Sequence, residues 1–186
     1  YNGEIIEGEW ISGVFVRKDY GSTHKYQQGR FIRRSDGAYV YCIQPFVSII
    51  SGANYEVTTS DFAQIAGMTQ AQWNRVSRLA YYGYGYPGHE DKKWYTITQV
   101  LIWRTVDPDA DIYFTSTLNG NKTDKYDSYL EEIERLSKDG LKEASFNNKT
   151  IKLNLNEEYS FDREDFVPNS NAHLTIMGNM IKIDTS

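Results

Sequence analysis

Trp94 to Pro108, WYTITQVLIWRTVDP, constrains the fold of this chain more than any other stretch. Val100, Leu101, Ile102 and Trp103 are consecutive and apolar, so a helix here has no polar side to offer to water. A helix that is apolar most of the way round is buried. Asp107-Pro108 ends it, because a proline disfavours helical backbone in the residue before it.

The flanks read differently. EIIEGEWISGVFVRKDY near the N-terminus has the partial alternation and β-branched content of strands. YQQGRFIRR, then Ser35-Asp36-Gly37, then AYVYCI reads as a hairpin turned by Asp-Gly, with Cys42 near the end of its second strand. KTIKLNLNEEY and HLTIMGNMIKID alternate again, with Gly178-Asn179 as a tight turn. Between them lie helical patterns. TSDFAQIAG fits a short helix. TQAQWNRVSRLAYY opens with Thr69 and Gln72 at capping-box spacing and sets Trp73, Val76, Leu79 and Ala80 on one face. TDKYDSYLEEIERLSKDG carries a stripe of Tyr126, Tyr129, Leu130, Ile133 and Leu136, with Gly140 as its stop. Strands, helices, strands predict an α+β fold, a β-sandwich or barrel-like part with an inserted helical subdomain. The expected organisation is one domain over 1–186, β over about 1–57 and 146–186 and helical over about 58–145.

A chain of 186 residues buries roughly 70% of its unfolded surface and needs no disulfide or metal to hold a core. The net charge of −5 and pI near 5.2 argue against a nucleic-acid grip, which needs clustered cations; Arg30 to Arg34 is the densest basic run and reads as a solvated strand face. No apolar run reaches the roughly 20 residues of a membrane span. The start at Tyr1-Asn2-Gly3, without a signal peptide, reads as that of a domain excised from a longer chain. His24, His89 and His173 are too scattered for a zinc motif. Asp107, Asp109 and Asp111 lack the glycine and distant glutamate of a calcium loop, so no metal or cofactor is expected. Asn121-Lys122-Thr123 and Asn148-Lys149-Thr150 fit the glycosylation pattern, which a bacterial chain usually leaves bare.

Cys42 is the only cysteine among 15 Tyr and 4 Trp. It cannot form an internal disulfide, so it is a small buried hydrophobe, a reactive group or an intermolecular link. Gln99, three residues after Thr96, reads in isolation as a capping-box partner. YYGYGYPG reads as a rigid turn whose tyrosines pack on the core, or as a stacking platform for sugars or peptides.

Taken together, Tyr41-Cys42-Ile43, Tyr84-Gly85-Tyr86-Pro87-Gly88 and Thr98-Gln99-Val100-Leu101-Ile102-Trp103 resemble, in order, the motifs of the thioester domain of Gram-positive surface adhesins. The cysteine and glutamine are 57 residues apart, short compared with the long insert of some members. The resemblance implies an internal thioester between Cys42 and Gln99, and capture of a nucleophile, a lysine amine, on a host-surface or matrix macromolecule. That is single-use chemistry rather than turnover. It further implies a monomeric module of a longer extracellular, cell-wall-anchored chain, without membrane insertion. Tyr41, Tyr84, Tyr86, His89, Thr98 and Trp103 are expected around the bond, with His89 as the proton-transfer candidate to test first. Gln99 is expected at a helix N-terminus, whose free N–H groups would polarise its carbonyl and lower the pKa of a nearby thiol. A non-covalent aromatic-rich carbohydrate or peptide binder and a cysteine hydrolase are the competing readings.

Overall fold

The computed structural model describes residues 3–56, 67–139, 149–152, 172–177 and 180–185. The chain is α+β, with strands first, helices next and strands last. It divides into two compact units, Tyr1–Glu134 and Arg135–Ser186.

The first unit is organised by β1 (Gly3–Tyr20). It pairs antiparallel with β2 (Thr23–Arg34) along most of its length. Its other edge is shared, with β3 (Asn54–Glu56) at the start and β4 (Asp111–Thr115) at the end. β4 falls within the stretch expected to be helical; Ile112, Phe114 and Thr115 are buried while Asp111 is exposed, a half-buried strand too short to stand out beside its aspartates. Between Trp10 and Phe15 the β1–β2 register shifts, so that Ile11 to Val14 face the single Gly29. Gly13 takes a φ of +74° in this bulge, which lets Ile11 and Val14 both be buried.

Three helices follow. α1 (Gln70–Tyr82) has the expected capping box, with Thr69 Oγ1 accepting from the Gln72 N–H and Gln72 Oε1 from the Thr69 N–H. α2 (Lys92–Val106) is the apolar helix, and every residue from Trp94 to Trp103 is buried. Asp91 caps its start and Asp107 ends it. α3 (Asp127–Asp139) buries Leu130 and Ile133, with Tyr126 just ahead of it buried against Phe114. Arg75 of α1 pairs with Glu134 of α3 at 2.5 Å.

The second unit contains a sheet in which β7 (Met180–Thr185) pairs with β5 (Lys149–Lys152) and β6 (Ala172–Met177), all antiparallel. The expected helix at TSDFAQIA, the Gly140 stop and the Gly178-Asn179 turn lie outside the described residues.

The Asp36-Gly37 turn forms as expected. Gly37 takes a φ of +87°, Arg34 N–H donates to Ala38 O and Val40 N–H to Ile32 O. The pairing ends there, so Cys42 lies in irregular chain beyond the hairpin, not on its second strand.

Candidate functional site

Having left the edge of β2, Cys42 must satisfy its backbone elsewhere, since a buried peptide group without a partner is costly. Its partner is a side chain. The Cys42 N–H donates to Gln99 Oε1 at 2.8 Å, and Gln99 Nε2 donates to Cys42 O at 2.7 Å. The carboxamide thus copies one rung of a β-ladder. Because the backbone offers one donor and one acceptor, only one orientation of the amide satisfies both, which assigns Oε1 and Nε2. Gln99 is 4% exposed and sits in the middle of α2, not at its N-terminus as expected. The helix begins seven residues earlier because Asp91 supplies the cap, accepting from the Lys93 N–H at 2.9 Å.

The polarising donor for Gln99 is therefore the backbone of Cys42 itself. The thiol does not gain the helix-terminus effect either. Burial pushes its pKa up, and the Gln44 backbone and Trp103 side chain offset only part of that. The Sγ–H donates to Gln44 O at 3.1 Å. The same carbonyl accepts from Val47 N–H at 3.3 Å, closing a turn with Pro45 and Phe46 at its centre. Phe46 has a φ of +60°, a left-handed backbone rare for a bulky residue. Its ring lies 5.2 Å from that of Trp103. That packing holds a conformation costing on the order of 1–3 kcal/mol.

A cavity of about 690 Å³ opens onto the pair. Cys42, Gln99 and Trp103 line it, with Phe46, Tyr95 and Thr96 nearby and β2 along another wall. Gly29 of β2 lies so close to α2 that a Cβ there would meet Thr96 Oγ1 at 2.6 Å. This contact sets how near β2 comes to the helix carrying Gln99.

The other expected residues are not cavity-lining. Tyr41 stacks on Tyr95 at 5.0 Å, and burial pushes its phenol pKa up. Thr98 Oγ1 donates to Trp94 O at 2.7 Å and accepts from the Tyr84 N–H at 3.1 Å, tying α2 to the glycine-tyrosine loop. Tyr84 packs edge-on against Phe31, Tyr39 and Tyr95. Tyr86 leans on Tyr82 and His89. His89 is 1% exposed and stacks on Trp94 at 3.6 Å. Its Nδ1 faces the carbonyls of Tyr82 and Gly83, and its Nε2 faces Glu132 Oε1 at 3.0 Å. Both ring nitrogens are thus engaged by partners away from the cavity. His24 sits on Asp19 at the surface. Among the described residues no histidine lines the cavity.

Sequence reasoning missed Phe46, Tyr95, Thr96 and Gly29. Only Tyr95 and Thr96 carried a signal, as immediate neighbours of the TQVLIW motif on a helix buried all round.

The first unit is a scaffold that holds the Gln99 carboxamide on the backbone of Cys42, with both residues lining one cavity. A family model described as the thioester domain matches residues 39–142, more than half of the chain, and the chain belongs to that family. Neither the curated proteins nor the solved structures contain a match.

Proposed function

We propose that Cys42 and Gln99 condense to an internal thioester, which then captures an amine-bearing partner covalently. The observation that carries this reading is the two-bond clamp between the Gln99 carboxamide and the Cys42 backbone. It supports each part of the acyl transfer. The sulfur attacks Gln99 Cδ, and negative charge develops on Oε1. The Cys42 N–H already donates to that atom, so stabilisation is in place before charge appears. The Cδ–Nε2 bond breaks, and the thiol proton leaves with Nε2 as ammonia. Holding the groups together makes the step intramolecular, for which effective molarities of ~10⁵–10⁸ M are attainable.

In the second step a lysine amine nitrogen attacks Cδ. The C–S bond breaks, Cys42 recovers a proton as the thiol, and an amide joins Gln99 to the partner. Gln99 is consumed, so the domain acts once and does not turn over. In this reading the domain is an adhesin module on the wall of a Gram-positive bacterium, and the partner is a host-surface or matrix macromolecule.

The test is the intact mass of freshly purified protein before and after methylamine. Condensation predicts a mass about 17 Da below the sequence value, and a methylamine adduct that restores a free thiol at Cys42. Full sequence mass with Gln99 still an amide would overturn the proposal and bring forward a non-covalent aromatic binding module.

A further inference from the structure

The six consecutive residues Lys25 to Arg30 of β2 line the cavity. Side chains of a strand point alternately to opposite faces. An unbroken run along one wall therefore means that β2 presents its edge, backbone included, to the cavity.

The hydrogen bonds of the hairpin establish which groups that edge carries. Arg34 N–H and Ile32 O point outward, since they bond Ala38 and Val40 rather than β1. The register slip lies in β1, so β2 keeps its alternation, and the N–H and C=O of Arg30, Gln28 and Tyr26 face the same way. Among the described residues no backbone group pairs with them. The chain itself occupies this edge over Ala38–Val40, then turns off at Cys42 to meet Gln99. The vacant part of the edge thus begins beside the reactive pair.

The surroundings indicate the chemistry of an occupant. Among the described residues, Lys25 and Arg30 are the charged residues of the lining, which shows no carboxylate, in a chain of net charge −5. Neither forms an ion pair among the described residues; Arg30 lies over Trp10 at 4.9 Å and donates to Ile49 O at 3.3 Å. Trp10 (57% exposed) and Val47 (54%) add apolar surface at the rim.

We infer that the open edge of β2 from Tyr26 to Arg30 docks an extended, acidic segment of the target polypeptide by strand addition, its lysine side chain reaching Gln99. This rests on the covalent-capture reading above. Main-chain bonds to Arg30, Gln28 and Tyr26 provide affinity, and alternate side chains of the guest provide specificity. Carboxylates flanking the lysine meet Lys25 and Arg30, which steers the encounter.

The test compares three blocked peptides of about ten residues, each with one lysine, by rate of covalent adduct formation in intact-mass spectra. The first alternates Val and Thr with Asp and Glu around the lysine. The second is identical but N-methylated on the backbone at either side of the lysine. The third replaces Asp and Glu by Asn and Gln. The first is expected to react roughly tenfold faster than either of the others, and its advantage over the third to vanish in Arg30→Gln. Rates for the first and second within about twofold overturn strand addition, and equal rates for the first and third overturn the acidic partner. Methylamine is the control for the electrophile: protein that takes up methylamine but does not discriminate among the peptides removes this inference alone, whereas protein inert to methylamine removes the thioester reading beneath it.

Discussion

Thr98 and Gln99 are neighbours on α2, both buried, and each fastens a different loop. Thr98 holds the glycine-tyrosine loop, where nearly everything closes on itself. Gly85 N–H bonds His89 O, His89 N–H bonds Tyr86 O, and the positive φ angles fall on Gly85 and Gly88, which adopt them without strain. Gln99 holds the Cys42 loop, where the positive φ falls on Phe46 and the backbone of Cys42 depends on one side chain. The first loop is a support. The second stores strain and leaves Cys42 and Gln99 lining a cavity. The difference shows how one buried helix can fasten a self-contained loop on one side and a strained, cavity-lining loop on the other.

Removing either reactive group should break the contrast most completely. Cys42→Ala and Gln99→Ala are each expected to abolish the mass deficit and the methylamine adduct, read by intact mass. Next is the spacing of β2 from α2. Gly29→Val is expected to destabilise the domain by roughly 1–3 kcal/mol through the clash with Thr96 and to lower the thioester yield. Urea denaturation measures the first effect and intact mass the second. Recovery of at least half the stability in Gly29→Val/Thr96→Ala would assign the loss to that contact.

On the supporting side, Thr98→Val leaves the Tyr84 N–H without its acceptor. A loss of about 1–3 kcal/mol is expected with methylamine reactivity retained; loss of reactivity at unchanged stability would erase the division between the loops. Phe46→Gly should relieve about 1 kcal/mol of backbone strain but lose roughly 1.5–3 kcal/mol of ring burial. The net expectation is a stability loss of about 1 kcal/mol and faster hydrolysis of the thioester, followed as gain of free thiol.

The smallest effect is in pH. In Gln99→Ala the thiol stays free, and burial keeps its pKa above that of the unfolded chain. The folded state then binds more protons in the alkaline range, so its stability is full below the unfolded thiol's pKa and falls as pH rises through the folded one. Iodoacetamide alkylation should show a midpoint displaced to higher pH relative to the urea-unfolded variant. A downward displacement would mean that the loop activates the thiol after all.

Much of this was legible in the residues because it depends on local chemistry. The unbroken apolar run made α2 a buried helix, Thr69 and Gln72 capped α1, and Asp36-Gly37 turned the hairpin, each through contacts a few residues apart. The meeting of Cys42 and Gln99 was legible too, through the resemblance of three short motifs. What tertiary structure alone decided depends on groups distant in sequence. The motif TQVLIW does not say that Gln99 lies mid-helix, since that follows from the cap at Asp91. Nor does it say that the donor to its carbonyl is the backbone of Cys42. His89, adjacent in sequence to the glycine-tyrosine loop, is buried on Trp94 and does not line the cavity, which its place in the sequence does not reveal. Among the described residues, the edge of β2 is left unpaired from Tyr26 to Arg30 where the chain leaves the sheet after Val40. Local propensities act over one or two turns of chain, whereas hydrogen-bond satisfaction of buried groups is settled by whichever partners the whole fold brings near.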